Sequence, residues 1–393
     1  MFASLVKLGR GWVERGSRGV LGRLGMAPPP RAPNTVNWDL TYACPLRCGH
    51  CYSESGRRSA RQLPLADLLR MADVLLQIRP LPTVTFSGGE PILVKGMLEL
   101  AGRLKQGGAR LVLYTSGYRL SSELAAGASE LFDRIAVSID GATAETNDFL
   151  RERQGAFSEA LRGLRAFDAA LRARHPEPRR PELAIETTVM QSNWHELERF
   201  CTEIAPQFPR LDTLRFGALI PTGFGSRETF VERELLNETQ MAELSRRTKR
   251  LQKLAPPGVR VRGFSNLPFL LHPAQLRRGI ALDGVLKIEA DGRVRGMDIY
   301  EGTVGRLLDE PFSALWQKSI ERHRDPFVVT QLSKVRTMRE WAAACRAIDL
   351  HFAAPEDRER ILMRPAAQAP PPDLQRKLSA ERPQRRRLDL FQL

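Results

Sequence analysis

The sequence predicts an α/β protein in which strands and helices alternate into an open parallel barrel, followed by a smaller α+β unit. Three observations carry that prediction. Short apolar runs alternate with amphipathic helical stretches from Thr35 to Leu254. Several of the apolar runs give way to Gly, Ser, Thr or Asp, as strands do on the ligand-binding face of a parallel barrel. After Leu254 the pattern changes to Gly-bounded turns and short strands.

In chain order, strands are expected at Thr35–Leu40, Thr83–Ser87, Arg110–Thr115, Arg134–Ile139, Leu183–Met190 and Thr213–Ala218. Helices are expected between them at Pro64–Ile78, Gly96–Lys105, Ser121–Leu131, Phe157–Ala173 and Trp194–Ile204, with a further one at Glu238–Leu254. Ser121 or Ser122 before Glu123 supplies a start signal of the kind that caps a helix.

The chemistry-bearing residues fall at the strand ends. Cys44, Cys48 and Cys51 lie in CxxxCxxC spacing on one loop after the first strand. Three thiolates on a short loop can hold three irons of a cubane and leave the fourth iron open to a ligand. Zinc, with His50 as fourth ligand, is the competing reading. The second strand runs into Ser87-Gly88-Gly89-Glu90-Pro91, where two glycines permit close backbone approach to a ligand and Glu90 can accept from an ammonium group. The third ends in Thr115-Ser116-Gly117 and the fourth in Ser138-Ile139-Asp140-Gly141.

Taken together, these motifs resemble the radical S-adenosylmethionine (radical SAM) enzymes over about Asn34 to Thr239. The resemblance implies a partial (β/α)6 TIM-like barrel with a 4Fe–4S cluster on Cys44, Cys48 and Cys51. It implies that S-adenosylmethionine chelates the open iron. Tyr52 then matches the aromatic whose backbone helps place the adenine, and Gly88, Gly89 and Glu90 the motif at the methionyl amino group. Ser138 and Asp140 match the polar strand end near the ribose and carboxylate, and Arg151 a carboxylate-pairing arginine. For Ser138 and Arg151 a helix cap and a surface charge are the ordinary alternatives. The implied electron donor is a reduced flavodoxin or ferredoxin-type protein.

Composition agrees. The 393 residues can hold one barrel, a second unit and tails. No apolar run is long enough to span a membrane, and the amino end lacks a secretory core. Three of the five cysteines sit in an oxygen-sensitive motif, which points to a reducing cytoplasm. The net charge of +15 first suggests nucleic acid, but the arginines are dispersed and no nucleic-acid module appears, so none is expected.

The second half resembles the SPASM or twitch domain of peptide-modifying radical SAM enzymes, in Ala281–Ile288, Ala290–Met297 and Val304–Trp316. Ala281 and Met297 stand where that pattern has cysteines, and of a later group only Cys345 remains. The scaffold is therefore expected without an auxiliary cluster. Cys201, at helical spacing with Trp194, Leu197 and Ile204, reads as a core thiol; a hydrogen donor to a substrate radical is the alternative for it and for Cys345. Asp283 and Asp291 read as turn residues, and His195 as a surface residue.

The expected organisation is a basic amphipathic extension and Pro linker at 1–33, the barrel at 34–239, the SPASM-like domain at 240–354, and a disordered Pro/Arg-rich tail at 355–393. The amino extension has the character of a segment that lies on an anionic membrane, docks to a partner or packs loosely on its own domain. The leading function is hydrogen abstraction from a ribosomally made peptide or natural-product precursor. A dehydrogenase or decarboxylase of a small sugar- or nucleoside-type metabolite is the alternative, and a non-catalytic binding module the third reading.

Overall fold

The computed structural model describes residues 31–393 apart from 174–179, 274–283, 381–389 and 391–393. The expectations for the amino extension up to residue 30, and for Ala281 and Asp283, lie outside the described residues. Six strands form where expected: β1 (Thr35–Thr41), β2 (Thr83–Gly88), β3 (Arg110–Thr115), β4 (Arg134–Ser138), β5 (Glu182–Val189) and β6 (Thr213–Ala218). They pair in parallel in sequence order. Along each, alternate residues such as Val36, Trp38, Val84, Phe86, Leu111, Leu113, Leu214 and Phe216 are buried in the core. Between these strands stand α1 (Leu65–Leu75), α2 (Met97–Gln106), α3 (Ser122–Leu131), α4 (Ala144–Arg151) and α5 (Ala156–Ala173). Ser121 caps α3, its hydroxyl accepting from Leu124 N at 3.2 Å.

The parallel run does not stop at six. After α6 (Glu228–Glu234) and α7 (Glu238–Leu254), the strand β7 (Arg260–Phe264) pairs in parallel with β6. The expected division after residue 239 therefore falls inside a strand–helix–strand unit. Only Val261 gives Arg260-Val261-Arg262-Gly263-Phe264 a buried aliphatic side chain, so the segment lacks the apolar run that marks an interior strand.

The carboxyl half joins the same sheet from its other side. β8 (Val285–Ile288) pairs in parallel with β1, and β9 (Arg293–Arg295) and β10 (Thr303–Arg306) continue it in antiparallel fashion. The order is β10-β9-β8-β1-β2-β3-β4-β5-β6-β7. Helices α8 (Phe312–Arg322), α9 (Pro326–Ser333) and α10 (Met338–Phe352) complete this half.

Two further expectations are corrected. The stretch 194–204 is not one regular helix: it forms a 3-10 turn at Gln191–Glu196, one α-turn at Leu197–Arg199 and a π-turn at Phe200–Ile204. Glu196 is turned inward there, accepting from Ala142 N at 2.6 Å and Thr146 Oγ1 at 2.7 Å. Nor are residues 355–380 a disordered stretch; the rest of that expected tail, 381–389 and 391–393, lies outside the described residues. They form α11 (Pro355–Leu362) and α12 (Pro372–Ala380), and Asp357 and Arg364 find buried partners in Arg58 and Glu54. No described helix is long and apolar enough to cross a membrane.

Candidate active site

The loop that follows β1 carries Cys44, Cys48 and Cys51, and backbone from three sides fixes it. Gly49 N donates to Leu150 O at 3.0 Å and Arg47 N to Arg151 O at 3.2 Å, at the end of α4. Phe224 N donates to Cys51 O at 3.0 Å, and the Arg227 guanidinium to Gly49 O at 2.8 Å. Arg47 closes the turn on itself by donating to Cys44 O at 2.8 Å. Each N–H or C=O satisfied this way would otherwise be an orphan in a loop with little regular structure.

The three thiols share one small apolar patch made by Leu46, Cys48, Ala156 and Tyr118. Burial pushes the Cys44 thiol well up, and the neighbouring Cys48 and Glu90 add to the shift. Burial likewise pushes Cys48 up to about 12, although Arg151 opposes it. Three thiolates so close would repel one another in a dry pocket, so a cationic body between them is what the donor set calls for. A cubane is such a body, and it takes its sulfur ligands at separate corners. His50 is committed elsewhere, its Nε2 lying 3.2 Å from Asp140 Oδ2. With His50 so held, the donors that remain are three thiols on one loop, a set that suits a cluster with an open corner.

Gly88 and Gly89 have a use within the fold itself. They bring β2 against the start of the cysteine loop. Gly88 has φ +111°, and a Cβ there would stand 2.6 Å from Thr41 O. A Cβ on Gly89 would overlap the Ala43 carbonyl. Gly89 N donates to Thr41 O at 2.6 Å and Glu90 N to Ala43 O at 2.9 Å, so the two motifs are laced together. Glu90 is buried and ties them to β3: it accepts from Thr115 Oγ1 at 2.6 Å, from Ser116 N at 2.8 Å and from the Ser116 hydroxyl. Burial raises its pKa, and the Ser116 and Thr115 donors only partly offset that. A cation at Glu90 would supply the missing compensation.

Asp140 and Arg151 are found with each other and not on an open face. Arg151 Nε lies 2.7 Å from Asp140 Oδ2, and its Nη1 is 3.8 Å from Cys48 Sγ. The other Asp140 oxygen accepts from Thr188 N at 2.8 Å. Burial would raise Asp140, but Arg151 and then His50 outweigh it and hold the carboxyl low. The carboxylate that pairs with Arg151 is therefore the protein's own, and the pair braces the cysteine loop. Ser138 is half-buried at the end of β4, beside Glu186 in register.

Tyr52 leads to residues that the sequence did not single out. Its hydroxyl donates to Asp39 Oδ1 at 3.0 Å and accepts from Lys287 Nζ at 3.0 Å. Lys287, on β8, also reaches Asp39 Oδ1 at 2.6 Å and lies 4.6 Å from the centre of the Tyr52 ring. Ser87 Oγ donates to the same Asp39 oxygen at 2.9 Å. Burial alone would lower Lys287; Asp39, then Tyr52, overcome it and hold the ammonium charged. A charged residue inside a short apolar strand was the available signal, since such a residue is buried only when paired. Cys201 and Cys345 are both fully buried in the apolar core.

Residues 38–175 match the Radical SAM superfamily. The chain is 33% identical over 197 residues to mycofactocin maturase MftC of Mycolicibacterium smegmatis, covering 50% of this chain and 47% of that one. It thus spans about half the length of this relative. It is 26% identical over 336 residues to an AdoMet-dependent heme synthase of Methanosarcina barkeri, covering 80% of this chain and 92% of that one. In fold it is similar to SuiB of Streptococcus suis bound to S-adenosylmethionine, with TM-score 0.57, 12% identity, and coverage of 82% and 72%.

Proposed function

We propose that this chain, which carries a radical SAM domain whose cofactors are a 4Fe–4S cluster and S-adenosylmethionine, is an enzyme that begins its reaction by abstracting hydrogen from a substrate held in the barrel. When bound, these cofactors supply a 5′-deoxyadenosyl radical, formed after one electron from a flavodoxin or ferredoxin-type donor. Cys44, Cys48 and Cys51 would hold the cluster, and Glu90 would accept the cofactor's amino group. Gly88 and Gly89 fix the distance between those two parts by lacing β2 to the loop. Ser138 would face the ribose. Arg151 and Asp140 act one layer back, keeping the turn around Cys48 in place. Lys287 and Asp39 hold Tyr52 against the inner wall. Much of the inner wall is polar, which suits an oriented substrate better than an unspecific apolar one.

The single observation that carries this reading is the lacing of the Gly88-Gly89-Glu90 backbone to a three-thiol loop. After anaerobic reconstitution the protein should hold about four irons per chain. With S-adenosylmethionine and a strong reductant it should release 5′-deoxyadenosine, and Cys48→Ala should release none. Wild-type protein that binds only zinc, or makes no 5′-deoxyadenosine, would overturn the reading.

For the substrate, the MftC similarity supports a ribosomally made peptide or related precursor. A second reading is favoured by a specific observation: the similarity to the AdoMet-dependent heme synthase runs over most of both chains, whereas that to MftC is confined to half. A porphyrin precursor of heme is then the substrate. Mass spectrometry of products from a candidate precursor peptide and from such a porphyrin separates the two.

A further inference from the structure

Away from the cysteine loop, the barrel's inner face carries a second charged constellation. Leu183, Ile185, Leu214, Phe216 and Val261 turn to the apolar core. Residues of the opposite face stand side by side in register across four strands: Ser138 against Glu186, Glu186 against Arg215, and Arg215 against Arg262. The row thus starts at the residue expected beside the ribose and ends on β7, the last strand of the sheet.

The charges in this row do not cancel. Glu186 Oε1 meets the Arg134 guanidinium, Arg215 Nη1 at 3.3 Å and the Tyr114 hydroxyl at 3.4 Å. Two guanidinium groups therefore share one carboxylate oxygen. Arg134 has a second carboxylate, Glu182, at 3.7 Å. Among the described residues Arg215 has no second carboxylate, and its Nε is buried without a hydrogen-bond partner there. A buried N–H left unmade costs on the order of 1–3 kcal/mol, so such a donor is normally kept for a ligand or a water. The Arg215 guanidinium lies 4.7 Å from the centre of the Phe264 ring, which helps to fix its plane. Arg262, the next residue in the row, is exposed, and no ion pair engages it among the described residues.

We propose that Arg215 and Arg262 form a subsite for a carboxylate of the substrate. Two planar forks on adjacent strands match the flat, two-oxygen geometry of that group. Phosphate sites more often add a glycine-rich loop or a helix start. Because β7 is the sheet's edge, a bulky molecule can stay outside the barrel near Arg262 while its carboxylate reaches in to Arg215. The subsite rests on the proposed function only in taking the bound molecule to be the substrate of the radical reaction.

The test is calorimetric titration of the anaerobically reconstituted holoenzyme with glutarate at constant ionic strength, with neutral glutaramide and inorganic phosphate as comparisons. Glutarate should bind and glutaramide should not. Arg215→Gln and Arg262→Gln should each weaken glutarate by about tenfold or more. Arg262 is exposed, so its variant should fold even if the Arg215 variant does not. Unchanged affinity in Arg262→Gln, equal binding of glutaramide, or tighter binding of phosphate than of glutarate each overturns the subsite. Release of 5′-deoxyadenosine by the same wild-type preparation is scored separately. Its absence sinks the radical reading and leaves an arginine-dependent glutarate site standing.

Discussion

At the scale of single residues, buried charges without full compensation mark the places where chemistry or stability is concentrated. His323 is a stability case. It is 8% exposed, Nδ1 donates to Ser319 O at 2.7 Å, and Nε2 is buried with no partner. Burial holds its pKa down to about 4. The folded state therefore favours neutral imidazole. Its full contribution is present above the ordinary value near 6.5, and it is lost as pH falls from there towards 4, by about 3 kcal/mol. Denaturant midpoints measured from pH 7 to pH 4 should fall in the wild type, and His323→Phe should flatten part of that slope. A His323→Phe profile parallel to the wild type would show that the ring titrates freely. The cysteines and Glu90 were legible in the sequence because their spacing is local. The partners of Asp140 and Tyr52 were not, because they are brought together from distant segments: Asp140 with His50 and Arg151, Tyr52 with Asp39 and Lys287.

At the scale of elements, the hydrophobic pattern placed the six central strands well, since each must bury one face under helices and so shows its period. It missed β7, whose inner side is Arg260, Arg262 and Phe264 and whose pattern is that of an edge. It also missed α4, too short and polar to show a period. β8 was read as part of a separate unit, because pairing partners far apart in sequence leave no local sign. Lys287 joins that strand to β1, across the Asn37–Lys287 register. Lys287→Met would leave Asp39 buried beside no cation, and should cost about 3–5 kcal/mol. Adding Asp39→Asn should recover much of this. A single variant as stable as wild type in chemical denaturation would remove the pair from the account of how the hairpin is attached.

At the scale of the whole molecule, the charged carboxyl segment is a strap and not a loose end. From α11 onward, Arg360 and Arg364 both engage Glu54, with Arg364 Nη2 at 2.6 Å. Asp357 takes Arg58 at 3.1 Å and Arg61 at 3.2 Å. Arg227, which holds Gly49 in the cysteine loop, also donates to Pro365 O at 2.8 Å. The Pro and Arg content of this segment reads as disorder only while its oppositely charged partners, Glu54, Arg58 and Arg61, about three hundred residues earlier, stay out of view. Glu54→Gln removes the carboxylate that Arg360 and Arg364 share, leaving Arg360 with Glu301 and Asp357 and Arg364 with Asp349 at 3.8 Å, and should cost about 1–3 kcal/mol. It should also loosen the loop, so that reconstituted protein keeps less iron than wild type after desalting. Equal iron retention would confine the strap to holding the fold.

The pairing of β1 with β8 also constrains the order in which this chain can be completed. Thr35 lies against Val285, so one side of the first strand leaves the ribosome bare and stays bare until most of the polypeptide has been made. An open strand edge invites mispairing with other chains. Final closure must wait for a contact of very long sequence separation, the slow kind. Assembly of the corner around the three-cysteine loop is thereby tied to late synthesis: the lysine beside Tyr52 arrives long after the sulfurs do.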